Sequence, residues 1–259
     1  MEPEDFDEES GVTFEVVEGE MEGGRKVPRK GVYLLPNLFT TGALFGGFYG
    51  IIASMNGQFE NAVIAILVAG ILDGLDGRVA RMTNTQSDFG AEYDSLSDSI
   101  AFGVAPALVI FNWSLSSLGK VGWMVAFIYA ACACLRLARF NVQVESADKT
   151  HFTGLSSPAA AGLIIGLVWF GADNGIAGGD VAYLSLLITM MAGVLMVSNL
   201  SFPSFKQIDF RGRVPFITIL IAVILLAVFF IDPPKVLFAI ALSYSLFGML
   251  MSLWKKTHR

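Results

Sequence analysis

The sequence predicts an all-α, polytopic membrane helical bundle of about eight transmembrane helices. Three observations predict it. Only 15% of the residues are charged, against about 25% in a typical soluble domain. Those charges crowd into the first thirty positions and a few short clusters, leaving apolar runs near the roughly 20 residues a helix needs to cross the hydrocarbon core. Once the runs are counted as crossings, Lys and Arg fall almost wholly on one side.

The elements follow in order. Residues 1–30 are an acidic tail with a basic end beside the membrane. Glu2, Glu4, Asp5, Asp7, Glu8, Glu9, Glu15, Glu18, Glu20 and Glu22 supply most of the net charge of −6. With so little apolar content the segment reads as solvated and disordered. It holds no apolar core of a cleavable leader. The acidic balance therefore says little about substrates, and no nucleic-acid partner is expected. Eight apolar segments follow, over 34–55, 61–82, 95–113, 121–140, 156–172, 182–199, 214–231 and 235–254. Short turn sequences separate several of them: Asn56-Gly57, Asp173-Asn174-Gly175 and Asp232-Pro233-Pro234.

Topology rests on a count. With a cytoplasmic N-terminus and eight crossings, all but two of the 17 Lys and Arg residues lie on the inner side, Lys120 and Lys235 being the exceptions. Dropping one span reverses every later loop and spoils the asymmetry. Both termini are therefore expected in the cytoplasm. Gly42, Gly46 and Gly50 form small-xxx-small pairs, read either as close helix packing or as room for a substrate. Cys132 and Cys134, at i,i+2, point apart on a helix and read as packing residues.

The second span ends in charge. Asp73 and Asp76 stand at i,i+3, and beyond a short polar elbow Asp94 and Asp98 stand at i,i+4. Each pair shares a helical face. The elbow is short enough to make the two helices antiparallel neighbours, so the faces can meet near the inner surface. An ionised Asp within a span costs roughly 2.5–3.5 kcal/mol on insertion scales, and four together repel. Solvated, snorkelling acids explain one or two such residues but not two matched pairs. Hard divalent cations relieve the cluster: two Mg²⁺ or Mn²⁺ ions would balance four carboxylates.

The string Asp73-x2-Asp76-Gly77-x2-Ala80-Arg81-x8-Gly90-x3-Asp94-x3-Asp98 resembles, without departure, the signature of the CDP-alcohol phosphatidyltransferases. The resemblance implies that Asp73, Asp76 and Asp94 bind metal. It implies that Asp98 deprotonates the acceptor alcohol and shares a metal. Gly77, Arg81, Gly90 and Asp76 would border the CDP-lipid, and Pro36, Asn37 and Thr40 in the first span resemble the family's cytidine-side residues more loosely. The chemistry agrees. Metal ions can neutralise the phosphates and the departing CMP, a glycine lets the nucleotide approach the backbone, and an arginine can fork onto phosphate oxygens.

Further strings narrow the acceptor. Cys134 to Asn141, Phe152 to Ala161, Phe202 to Lys206 and Arg211 to Phe216 resemble the membrane-bound bacterial phosphatidylserine synthases, a branch of that family. The resemblance implies a core over 31–220 with six helices, a two-helix extension over 221–259, CDP-diacylglycerol and L-serine as substrates among membrane lipids, a homodimer, and the bacterial inner membrane. Arg136, Arg139, Asn141 and Ser156 are the acceptor-side candidates. For the two arginines, anchoring at the inner rim is the competing reading. For Ser156 and Ser157 it is the start of the fifth helix. Two alternatives stay open: the same chemistry with glycerol phosphate, inositol phosphate or choline as acceptor, and a divalent-cation transporter with the aspartates as a selectivity ring. The second needs polar groups along the whole path, and the outer halves of the spans carry few.

Overall fold

The computed structural model describes residues 17–22, 25–30, 34–83, 87–143, 151–203, 227 and 230–257. Seven helices dominate: α1 (Leu34–Met55), α2 (Phe59–Thr83), α3 (Asp88–Trp113), α4 (Lys120–Gln143), α5 (Ser157–Asp173), α6 (Ala182–Val197) and α7 (Pro233–Thr257). Short 3₁₀ turns, Leu115–Leu118 and Gly178–Val181, lead into α4 and α6. Two antiparallel strand pairs complete the description: β1 (Val17–Glu22) with β2 (Arg25–Lys30), and β3 (His151–Thr153) with β4 (Ser201–Pro203).

Among the described residues, five segments are long and apolar enough to span a membrane: Pro36–Met55, Asp88–Trp113, Lys120–Val142, Gly178–Val197 and Pro233–Ser252. The protein is an all-α, multi-pass membrane bundle. Two helices miss that criterion for different reasons. At about 1.5 Å per residue, the 25 residues of α2 reach about 37 Å, but Asp73, Asp76, Arg78 and Arg81 break its apolar run. The 17 residues of α5 reach only about 25 Å, short of the core. The expected span over 214–231 lies almost entirely outside the described residues.

Within the acidic tail, Val17–Glu22 pairs antiparallel with Arg25–Lys30. The register sets Glu18 opposite Arg29 and Glu22 opposite Arg25.

The glycines of α1 settle which of their two readings holds. A Cβ on Gly46 would lie 2.8 Å from the Ala65 carbonyl, and one on Gly47 would lie 2.9 Å from the Ala101 Cα. Both neighbours are backbone, so α1 seats directly on α2 and α3: the role is packing. The core between helices is apolar and includes Val63, Ile66, Val109, Ile110, Leu163, Ile164 and Met196. Within α3, Ser99–Val104 widens into a π-helical turn directly after Asp98. The Tyr129 hydroxyl donates to the Phe102 carbonyl in that turn at 3.1 Å, satisfying groups that water cannot reach here.

Candidate metal centre and substrate site

The site forms where α1, α2 and α3 converge. Asp73 and Asp76 come from the last turns of α2, Asp94 and Asp98 from the first turns of α3, and Thr40 from the start of α1. Ser87 starts α3 as its N-cap, its hydroxyl accepting from Gly90 N at 2.9 Å. That cap sets the phase of the helix and so the face on which Asp94 and Asp98 emerge.

Carboxylate oxygens of Asp73, Asp76 and Asp94 lie within 4.8 Å of one another. At that separation each pair of charges repels by about 3 kcal/mol at an effective dielectric near 20. Asp98, one turn beyond Asp94, interacts electrostatically with Asp73, Asp94 and Asp76. Asp76 is the most buried, at 4% exposure. It is also the best supported: Oδ2 accepts from the Thr40 hydroxyl at 2.8 Å, and Oδ1 accepts from Gly77 N. Asp94 Oδ1 is buried with no hydrogen-bond partner among the described residues. A buried, unpaired carboxylate oxygen is costly, and here it faces other oxygens. Hard oxygen donors, mutual repulsion and an unused lone pair all fit a divalent cation. The residues present can hold one.

A buried relay stiffens the cluster. The Ser97 hydroxyl donates to the Thr40 carbonyl at 3.1 Å, and Thr40 Oγ1, 3.2 Å from the Pro36 carbonyl, reaches Asp76. The Thr41 and Tyr93 hydroxyls, 2.9 Å apart, tie α1 to α3 again. Sequence reasoning missed Ser97. Its one signal is its place between Asp94 and Asp98, and nothing local shows that its partner lies 57 residues away.

The other expected residues divide. Asn37 Oδ1 would lie 3.5 Å from a Cβ on Gly90, and Arg81 Nη1 would lie 3.9 Å from one on Gly77. Asn37 thus lies beside Gly90, and Arg81 beside Gly77. Arg136 Nη1 donates to Ser157 Oγ at 2.8 Å, within electrostatic range of Asp98. Ser157, not Ser156, is thus the serine brought to Arg136, and Ser156 is the N-cap residue of α5, without a side-chain capping bond. Arg139 is turned to the end of α6, its Nη2 donating to Asn199 Oδ1 at 2.7 Å and its Nη1 to the Val197 carbonyl at 3.4 Å. Cations suit helix C-termini. The Asn141 amide donates to Ser95 Oγ at 2.9 Å, linking α4 to α3.

Fold and site together define a multi-pass membrane protein with a carboxylate cluster that can hold a metal ion. Residues 33–199 match the CDP-alcohol phosphatidyltransferase family, and the chain belongs to that family. It is 38% identical over 224 residues to a CDP-diacylglycerol–serine O-phosphatidyltransferase of Helicobacter pylori, covering 86% of this chain and 93% of the relative. Relatives with the same name in Methanocaldococcus jannaschii and Bacillus subtilis are each 32% identical. The first alignment covers 78% of this chain and 87% of the relative, the second 67% and 92%. Family membership sets the transporter reading aside.

Proposed function

We propose that this chain transfers the phosphatidyl group of CDP-diacylglycerol to the hydroxyl of L-serine, giving phosphatidylserine and CMP. The observation that carries the reading is the placement of Asp98. It stands one helical turn beyond Asp94 of the Asp73–Asp76–Asp94 cluster and within electrostatic range of Arg136. The relatives named above support serine as the acceptor.

Asp73, Asp76 and Asp94 would hold divalent metal, Mg²⁺ or Mn²⁺ and two ions by charge balance, with Asp98 as a further candidate ligand. Bound metal supplies charge neutralisation for the pyrophosphate and the departing CMP. The chain's own residues do the rest. Gly77 and Gly90 keep the nucleotide side open, with Asn37 and Arg81 beside them. Thr40 fixes the Asp76 carboxylate. Asp98 takes the proton from the serine hydroxyl, whose oxygen then bonds to the phosphatidyl phosphorus. The bond from that phosphorus to the bridging oxygen breaks, and its electron pair leaves with CMP. Arg136, with Nη1 on Ser157, offers its remaining donors to the serine carboxylate.

The charge distribution supports an inner-membrane protein with both termini cytoplasmic, and the family resemblance supports a homodimer. Purified protein with CDP-diacylglycerol and a panel of alcohols, read by CMP release, tests the acceptor. Serine should release CMP, and glycerol phosphate, inositol phosphate and choline should not. Release with any of these in place of serine would overturn the assignment.

A further inference from the structure

The π-helical turn Ser99–Val104 interrupts α3 directly after Asp98, with Ala105 N donating to the Ile100 carbonyl five residues back. A π turn holds one residue more than an α turn, and one residue is about 100° of rotation. In an unbroken α-helix Asp98 would share a face with Ala105, seven residues on, and so would Asp94, one turn before it. Ala105 is fully buried and belongs to the apolar core with Val109 and Ile110. The extra residue turns the aspartates off that face. The same helix can then send Ala105 into the core and Asp94 to the oxygens of Asp73 and Asp76.

Three helices hold the turn. Ala101 seats on α1, since a Cβ on Gly47 would lie 2.9 Å from its Cα. Phe102 lies along α2: its ring would be 3.5 Å from a Cβ on Gly70, three residues before Asp73. Gly103 meets α4, where a Cβ on it would lie 3.1 Å from that of Ala133. One turn before Ala133, the Tyr129 hydroxyl donates to the Phe102 carbonyl at 3.1 Å. Tyr129 is fully buried and Phe102 nearly so, so water does not compete for that carbonyl. The apolar contacts fix where the turn sits. The hydrogen bond acts on the backbone of the turn itself.

We propose that Tyr129 is a positioning residue for the metal-binding aspartates: through the Phe102 carbonyl it holds the π turn, and the π turn keeps Asp94 and Asp98 facing Asp73 and Asp76. The proposal rests on the metal reading given above. Without the phenol oxygen the carbonyl loses a buried donor, and the turn relaxes toward α-helical pairing. Asp94 and Asp98 then swing away from α2. Helix α4 supplies none of the aspartates, yet in this way it sets how tightly they bind their ion.

Full-length enzyme carrying Tyr129→Phe tests this, beside Val125→Ala as the packing control and Asp94→Asn as the check on the metal reading. Tyr129→Phe keeps the ring and removes only the oxygen. Two quantities should rise about tenfold, the low end for lost support of a metal-binding group. One is the Mn²⁺ concentration for half-maximal CMP release, and the other is the Mn²⁺ dissociation constant read by electron paramagnetic resonance. The KM values for CDP-diacylglycerol and serine at saturating ion should stay within about twofold, since neither substrate contact is touched. Val125 is buried in α4 one turn before Tyr129, so Val125→Ala removes packing and leaves the hydrogen bond. It should lower the thermal midpoint and keep Mn²⁺ binding within about twofold of wild type, as two independent sites would. Unchanged Mn²⁺ binding in Tyr129→Phe, or an equal rise in Val125→Ala, overturns the Tyr129 assignment when Asp94→Asn still weakens Mn²⁺ binding. Unchanged Mn²⁺ binding in Asp94→Asn overturns the metal reading itself, and the role of Tyr129 with it.

Discussion

Replacing Thr40 by Val removes one oxygen and keeps the side-chain shape. That oxygen is the hydroxyl 2.8 Å from Asp76 Oδ2, on a residue only 3% exposed. No water replaces it easily at that depth. A hydrogen bond to a charged group contributes about 1.5–3 kcal/mol. Losing the support of a metal-binding carboxylate typically weakens metal affinity about 10–100-fold, which is the same range in free energy. The divalent-ion concentration for half-maximal turnover should therefore rise about 10–100-fold, and turnover should recover at saturating ion. The assay is CMP release across a Mg²⁺ or Mn²⁺ titration, with Thr41→Val as control. The Thr41 hydroxyl faces the Asn37 carbonyl and Tyr93 instead, so its ion dependence should match wild type. An unchanged ion midpoint in Thr40→Val, with only the CDP-diacylglycerol KM raised, would refute the reasoning. It would return Thr40 to the direct nucleotide contact expected from sequence.

Three further outcomes follow from the same geometry. Asp98→Asn should cut turnover by about 10²–10⁴-fold, the usual contribution of a positioned base. Excess ion should not rescue it, and recovery near the wild-type rate at saturating Mg²⁺ or Mn²⁺ would make Asp98 a metal ligand only. Gly47→Val forces a Cβ to 2.9 Å from the Ala101 Cα, and overpacking of that kind costs about 1–3 kcal/mol. Thermal unfolding in detergent should fall by several degrees, and an unchanged midpoint would mean that α1 and α3 are not seated as described. A reporter inserted between residues 173 and 180 should be external and one after Arg259 cytoplasmic, and a cytoplasmic signal from the inserted reporter would contradict the charge count.

Much of this molecule is legible in its sequence, for reasons that particular residues show. The spans read directly because helix length and apolarity are local properties that the membrane demands. The aspartates read directly because charge inside such runs is expensive and their spacing puts them on shared faces. What stayed hidden depends on contacts between distant segments. β3 and β4 are three residues each and carry no periodic pattern. The choice of Ser157 over Ser156 at Arg136 turns on the phase of α5. Arg139 reads as an acceptor candidate until α6 ends beside it and takes its donors.

The central claim is a metal-dependent transfer from CDP-diacylglycerol to serine at the aspartate cluster. The most direct measurement follows both products at once, CMP and labelled phosphatidylserine, in purified enzyme given CDP-diacylglycerol and labelled L-serine. The two should appear mole for mole. Both should vanish on chelation, return with Mg²⁺ or Mn²⁺, and be absent in Asp76→Asn at every ion concentration. CMP appearing without labelled phosphatidylserine, or product forming at the full rate after thorough chelation, would contradict the account.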